Sequence, residues 1–219
     1  MKYGESSFDI LYLLFAVISG LIILFKKRDS VGRLMGLSAL ILGCGDAFHL
    51  VPRVLNYFVD ADFTVWLGVG KLVTSVTMTV FYLLLYFLHR QLYHISKKKT
   101  AALSLSVAAL VIIRTAVCLF PQNGWFTNET PLTWAIVRNI PFAALGIVMI
   151  VLFWKNRKDI KEFGRVWLYI TLSFAFYIPV AVGAGFVPML GMLMLPKTVC
   201  YILMIGAFLR YTFRTKKRS

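Results

Sequence analysis

Long apolar runs alternate with short polar breaks along the chain, and the runs dictate the architecture. A helix needs about 20 apolar residues to cross a bilayer. Seven runs qualify, at about 8–25, 31–53, 63–89, 101–120, 132–154, 165–187 and 189–210. The fourth is the cleanest, and the shortest break separates the sixth from the seventh. The pattern predicts an all-α integral membrane protein, a seven-transmembrane-helix bundle in which residues 1–219 form a single transmembrane domain. The first run follows Glu5 and Asp9, lacks a small-residue cleavage site and stops at Lys26-Lys27-Arg28, so it predicts a retained helix rather than a signal peptide.

The breaks alternate in charge. Lys26, Lys27, Arg28 and Arg33 surround the first, Arg90, Lys97, Lys98 and Lys99 the third, and Lys155, Arg157, Lys158, Lys161 and Arg165 the fifth. The tail holds Arg210, Arg214, Lys216, Lys217 and Arg218. The other breaks carry Asp60, Asp62 and Glu129. Basic loops stay in the cytoplasm, so the N-terminus is expected outside and the C-terminus inside, in the plasma (inner) membrane. Trp66, Trp125, Trp134, Trp154 and Trp167 fall near the predicted interfaces. The triplet Asn128-Glu129-Thr130 is a glycosylation sequon on an outer break and carries no weight alone.

Composition fits this picture. The chain is 59% hydrophobic with a mean hydropathy of +0.78, yet its net charge is +15. A soluble protein so basic would suggest nucleic acid. Here the bases sit in short blocks between spans, with no continuous basic face, and no nucleic-acid partner is expected. Cys44, Cys118 and Cys200 lie inside apolar runs and read as small core residues.

Gly20–Arg33 (GLIILFKKRDSVGR) and Gly146–Arg165 (GIVMIVLFWKNRKDIKEFGR) follow one plan: mid-helix glycine, Leu-Phe, basic loop with aspartate, then Gly-Arg. The likeness suggests a 3+1+3 parallel repeat. In helix count and direction the chain resembles the SWEET and PQ-loop transporters and the microbial rhodopsins, a likeness of architecture only.

The candidate chemistry lies inside the spans. Asp46, His49 and Arg53 occupy i, i+3 and i+7 of the second span, one helix face. Lys71, Thr74 and Ser75 share a face of the third, Arg114 lies in the fourth, and Arg138 adjoins Asn139 in the fifth. Ser173 and Tyr177 in the sixth, and Lys197 and Tyr201 in the seventh, are each one turn apart. Converted to depth, most of the ionisable groups lie roughly 9–12 Å below the outer surface. A charge facing lipid costs at least about 2.5–3.5 kcal/mol, so the layer should face a cavity. Arg53, at the end of its span, is expected to snorkel outward. The seven prolines all fall in outer halves or outer loops, with Pro141, Pro179 and Pro196 inside spans, which predicts an outer cavity over a tight inner half. Five bases against one carboxylate, Asp46, point to an anionic ligand: a small molecule or a phospholipid headgroup bearing phosphate, phosphonate, sulfate or carboxylate.

Other chemistries bear on the same residues. Asp46 and His49 alone make a poor metal site, because His89 and His94 belong to the opposite face; no metal or cofactor is expected. Lys197 in the seventh helix would permit a retinal-type Schiff base with Asp46 as counter-ion, but the remaining bases oppose that cation. As an enzyme, the chain would use Asp46 and His49 as a catalytic acid–base pair. The stretch GCGDAFHLVP (43–52), with Phe58 or Phe63 and a glycine-containing third span, resembles the lysoplasmalogenase family. That resemblance implies cleavage of a vinyl-ether lysophospholipid and a second acid in a later helix. The later helix here, TLSFAFYIPV, has none. A transporter or sensor needs only binding and two conformations. Gly68, Gly70, Gly183, Gly185 and Gly191 suit hinged helices or close packing. Expected partners are membrane lipids, the anionic ligand, and a homo-oligomer or signalling partner.

Overall fold

The structure is a computed structural model that describes residues 2–96, 98–127 and 131–216. The sequon at 128–130 and the bases Lys97, Lys217 and Arg218 lie outside the described residues. Seven α-helices account for nearly all of it: α1 (Lys2–Lys26), α2 (Ser30–Phe58), α3 (Thr64–Leu92), α4 (Ala101–Leu119), α5 (Leu132–Lys155), α6 (Val166–Gly183) and α7 (Met194–Lys216). Each α-helix, alone or with an adjoining 3₁₀ turn, is long and apolar enough to cross a membrane, so this is a multi-pass membrane protein.

Several helices outrun the apolar runs that predict them. α1 starts at Lys2, not near residue 8, and carries Glu5, Ser6 and Asp9 into the bundle. α2 continues through Pro52 to Phe58, where an extended Val59 ends it. The seventh span opens near residue 189 as predicted, but as a 3₁₀ turn at Pro188–Leu193 that leads into α7, placing Pro196 in the first turn of the α-helix. Pro141 and Pro179 sit within α5 and α6.

α1 shows how sequence periodicity becomes packing. Ser6, Asp9, Tyr12, Ala16, Ser19 and Ile23 are buried, while Ile10, Leu14, Ile18, Leu21 and Phe25 are exposed on the opposite, lipid-suited side. Consecutive helices pack as neighbours, α7 returns to α1, and α3 also touches α5. In lipid, helices associate by close approach rather than by a hydrophobic drive. Gly20 and Gly36 serve that purpose: a Cβ on either would come within 3.0 Å of the other's carbonyl oxygen. The turn from α1 to α2 is closed by Asp29, whose side chain accepts the Gly32 N–H at 2.7 Å and pairs with Lys27 at 3.0 Å.

The bundle is packed unevenly along its length. Toward the face bearing the α1–α2, α3–α4 and α5–α6 connections, Leu85, Leu88, Met149, Phe153, Phe163, Ile205 and Phe208 are fully buried. His89 belongs to this half. Its Nε2 donates to the Leu152 carbonyl at 3.1 Å, and its ring packs on Tyr93 and Phe153. Toward the face of the α2–α3, α4–α5 and α6–α7 connections, the helices part around a cavity.

Candidate functional site

The cavity has a volume of about 600 Å³ and is walled by α2 to α7. Its base-bearing wall is Arg53 and His49 from α2, Lys71, Thr74 and Ser75 from α3, Arg114 from α4, Arg138 from α5, and Lys197 from α7. Leu132, Ala135, Val180, Ala181, Val182 and Phe186 supply apolar wall from α5, α6 and the α6–α7 connection. Met78, Phe142 and Tyr177 also line it. Beyond Phe142 come Tyr82 and Phe174, with ring centroids 5.3 Å and 5.1 Å from that of Phe142, and Tyr201 stacks edge-on against Phe81. These rings continue into the buried core.

The α4–α5 hairpin builds much of the basic wall. Phe120 turns the chain out of α4, and the fully buried Asn123 donates to the Val117 carbonyl at 2.7 Å and the Phe120 carbonyl at 2.9 Å, satisfying the helix end. The Asn123 side-chain oxygen accepts from Arg138 at 3.1 Å. Trp125 donates its indole N–H to the Cys118 carbonyl at 2.8 Å and lies 4.4 Å beneath the Arg138 guanidinium. Gly68 of α3 permits this: a Cβ there would run into the Trp125 carbonyl. Gly70 likewise faces the Phe48–His49 backbone, whereas Gly185 and Gly191 have open space around them.

Each remaining base has its own setting. Arg114 is only 1% exposed, donates to the Arg138 carbonyl and sits 4.9 Å over the Phe142 ring. Its Nε is buried without a partner. Lys71 keeps its head in the open part of the cavity, within electrostatic reach of Arg138. Lys197 is 8% exposed and lies over two rings, Tyr177 at 4.8 Å and Tyr201 at 5.5 Å. None of Lys71, Arg114, Arg138 and Lys197 has a carboxylate within 4.0 Å among the described residues.

Arg53 departs from expectation. It does not snorkel but pairs with Glu5, whose other oxygen accepts from Tyr57 at 3.0 Å. The cause is the longer α1, which brings an acid alongside the end of α2. The same extension corrects the charge count, since the layer holds three carboxylates rather than one.

Asp46 sits beside the main cavity, in a smaller chamber of about 40 Å³ lined also by Glu5, Asp9, His49, Arg53, Thr74 and Lys197. Asp46 accepts a hydrogen bond from Tyr12 at 2.6 Å. Asp9 is 4% exposed and its Oδ2 has no partner. His49 borders both spaces, and its Nδ1 is buried without a partner.

Three further predicted residues stand back from the cavity. Asn139 accepts from the Tyr177 hydroxyl at 2.9 Å and donates to the Ala135 carbonyl at 2.8 Å, so it positions Tyr177. Ser173 and Tyr201 are buried one turn deeper, in the core near Tyr82. Thr74 donates to the Gly45 carbonyl at 3.1 Å and Ser75 to the Lys71 carbonyl at 2.8 Å, which commits both hydroxyl protons to the backbone.

Glu5, Asp9, Tyr12, Asn123 and Trp125 are not among the site residues the sequence predicts. Asp9, Tyr12, Ala16, Ser19 and Ile23 are spaced along one helix face, a signal present in the sequence. Nothing local marks Asn123 or Trp125, because a turn and not a periodicity places them.

No three His, Cys, Asp or Glu side chains come together as a metal site among the described residues. Comparison with family models, curated proteins and solved structures returned no match.

Proposed function

We propose that this protein binds an anionic ligand in the basic cavity, as a carrier or a ligand-sensing membrane protein. One observation carries the reading: four basic side chains from α3, α4, α5 and α7 converge on one void, none with a carboxylate within 4.0 Å among the described residues. Arg114 and Lys197 are buried, and cations clustered in this way are costly until a negative group joins them. Few biological groups meet that need: a phosphate, sulfonate, sulfate or carboxylate. The apolar part of the lining favours a ligand with a hydrocarbon or ring portion, a class that includes lipid headgroups with their attached chains. With the basic loops in the cytoplasm, the cavity opens to the outer face. Gly185 and Gly191, in open space beside the α6–α7 turn, give that rim room to move.

The test is anion-dependent thermal stabilisation of the purified protein. Hexanesulfonate and inorganic phosphate should raise the apparent melting temperature of the wild type, the sulfonate at lower concentration. Lys71→Met, Arg138→Met and Lys197→Met should each reduce that rise. If all three variants respond as the wild type does, there is no anion site here.

A lipid hydrolase of the lysoplasmalogenase kind keeps one observation in its favour, the unpartnered His49 nitrogen where the two spaces meet. Against it, Asp46 already accepts from Tyr12 and does not line the main cavity. Asp46→Asn separates the readings: it abolishes turnover of a lysophospholipid in an enzyme, and in a binding protein it shifts affinity only.

A further inference from the structure

We propose that Asp9 and Asp46 hold one proton between them, and that this proton sets how tightly the adjoining cavity takes its anion. The inference rests on the anion-binding reading and adds a second ligand to it.

The small chamber has the makings of a proton site. Asp9 on α1 and Asp46 on α2 both line this chamber of about 40 Å³, which has room for only a few waters. Asp46 has the Tyr12 hydroxyl as donor; Asp9 is 4% exposed and presents Oδ2 with nothing to accept from. Two carboxylates confined to one small space disfavour each other's ionisation, and one proton held by the pair removes that repulsion. Glu5 is not part of this pair, because Arg53 and Tyr57 already occupy it.

The charged neighbours select the proton over a metal cation. Arg53 and His49 of α2 and Lys197 of α7 line the same chamber, Lys71 of α3 lies beyond Thr74, and the Tyr201 hydroxyl of α7 is within electrostatic reach of Asp46. With Glu5 taken by Arg53, no group of three acidic or other metal-holding side chains comes together here for a sodium ion among the described residues. A proton neutralises a carboxylate in place.

Coupling follows from Lys197, which borders both spaces. With the acids ionised, its ammonium is drawn toward Asp46 and away from the anion. Protonation weakens that pull and leaves the full charge of Lys197 to the cavity. By linkage, an anion in the cavity raises the affinity of the pair for its proton by the same factor.

The experiment uses the full chain in nanodiscs and hexanesulfonate, whose own charge is constant in the range used. Affinity should rise about tenfold as pH falls from about 8 to 5, and binding in weak buffer should take up protons. Asp9→Asn and Asp46→Asn, which mimic the protonated pair, should bind tightly at high pH and lose the dependence. His49→Gln should keep it. Binding that is insensitive to pH, that takes up no proton, or whose pH dependence disappears with His49→Gln or requires sodium overturns the proton site and leaves the anion site standing. Absence of sulfonate binding at every pH overturns both. Proton uptake that persists in His49→Gln decides the matter even if an aspartate variant does not fold.

Discussion

Replacing Arg114 by methionine should stabilise the empty protein and weaken its ligand binding at the same time. The guanidinium is 1% exposed, and its only described hydrogen bond goes to the Arg138 carbonyl. It packs over Phe142, leaves Nε unsatisfied and lies near the like charge of Arg138. Methionine roughly keeps the stem and its contacts while removing the charge. Lost are one charge-assisted hydrogen bond, roughly 1.5–3 kcal/mol, and a cation–π contact of about 1–2 kcal/mol. Gained is relief from burying an uncompensated cation, several kcal/mol, and from repulsion by Arg138. Replacing whole buried ion pairs by matched apolar groups ranges from neutral to about 1–4 kcal/mol stabilising; Arg114 has no Coulombic partner to lose among the described residues, so the apparent melting temperature of the ligand-free protein should rise, by about 2–4 °C per kcal/mol. Affinity for hexanesulfonate should fall roughly 10- to 150-fold, the value of one ionic hydrogen bond. The assay is thermal unfolding in detergent with and without sulfonate, with Arg114→Lys retaining part of the affinity. A melting temperature that drops while sulfonate stabilisation is unchanged would show that Arg114 only pins α4 to α5.

Other residues give sharper tests of single contacts. Gly68→Ala forces the Trp125 segment off α3 and should cost about 1–3 kcal/mol, whereas Gly185→Ala, in open space, should stay within about 1 kcal/mol of wild type by the same melting assay. Asn123→Ala removes the closure of α4 and the partner of Arg138; stability should fall by about 1–2 kcal/mol and sulfonate affinity should fall with it. A double-mutant cycle on Glu5→Gln and Arg53→Met should return a coupling on the order of 1 kcal/mol, and zero coupling would mean that the pair does not hold α1 against α2. Topology is read by single cysteines in a background without Cys44, Cys118 and Cys200. A cysteine at Ala61 should react with an impermeant maleimide on intact cells, and one at Ser96 should not; the reverse result inverts the orientation.

The helices and the basic layer were legible because both rest on simple rules. Apolar length fixes a span, and a base inside a span must face something other than lipid. Lys71, Arg114, Arg138 and Lys197 stand far apart in the chain, yet similar depth was enough to bring them together. The acids of α1 were missed for the opposite reason. Glu5 and Asp9 look like a polar flank when span ends are drawn at the edge of the apolar run, although a helix continues wherever its polar side chains find partners in the bundle. Ser173 and Tyr201 show a limit of periodicity: residues one turn apart share a face but not a depth, and these two fall below the cavity. Asn123 and Trp125 depend on how the chain leaves α4, which no spacing encodes.

If the proposed anion-binding reading holds, the aromatic group beneath the cavity distinguishes a carrier from a sensor. Below it Phe142, Tyr82 and Phe174 pack on one another and Tyr201 packs on Phe81, with ring contacts worth about 0.5–1.5 kcal/mol each. A carrier must part them in every cycle, so lightening any one ring should speed its turnover. A sensor keeps them packed and passes its message sideways, through the tilt of the helices above them.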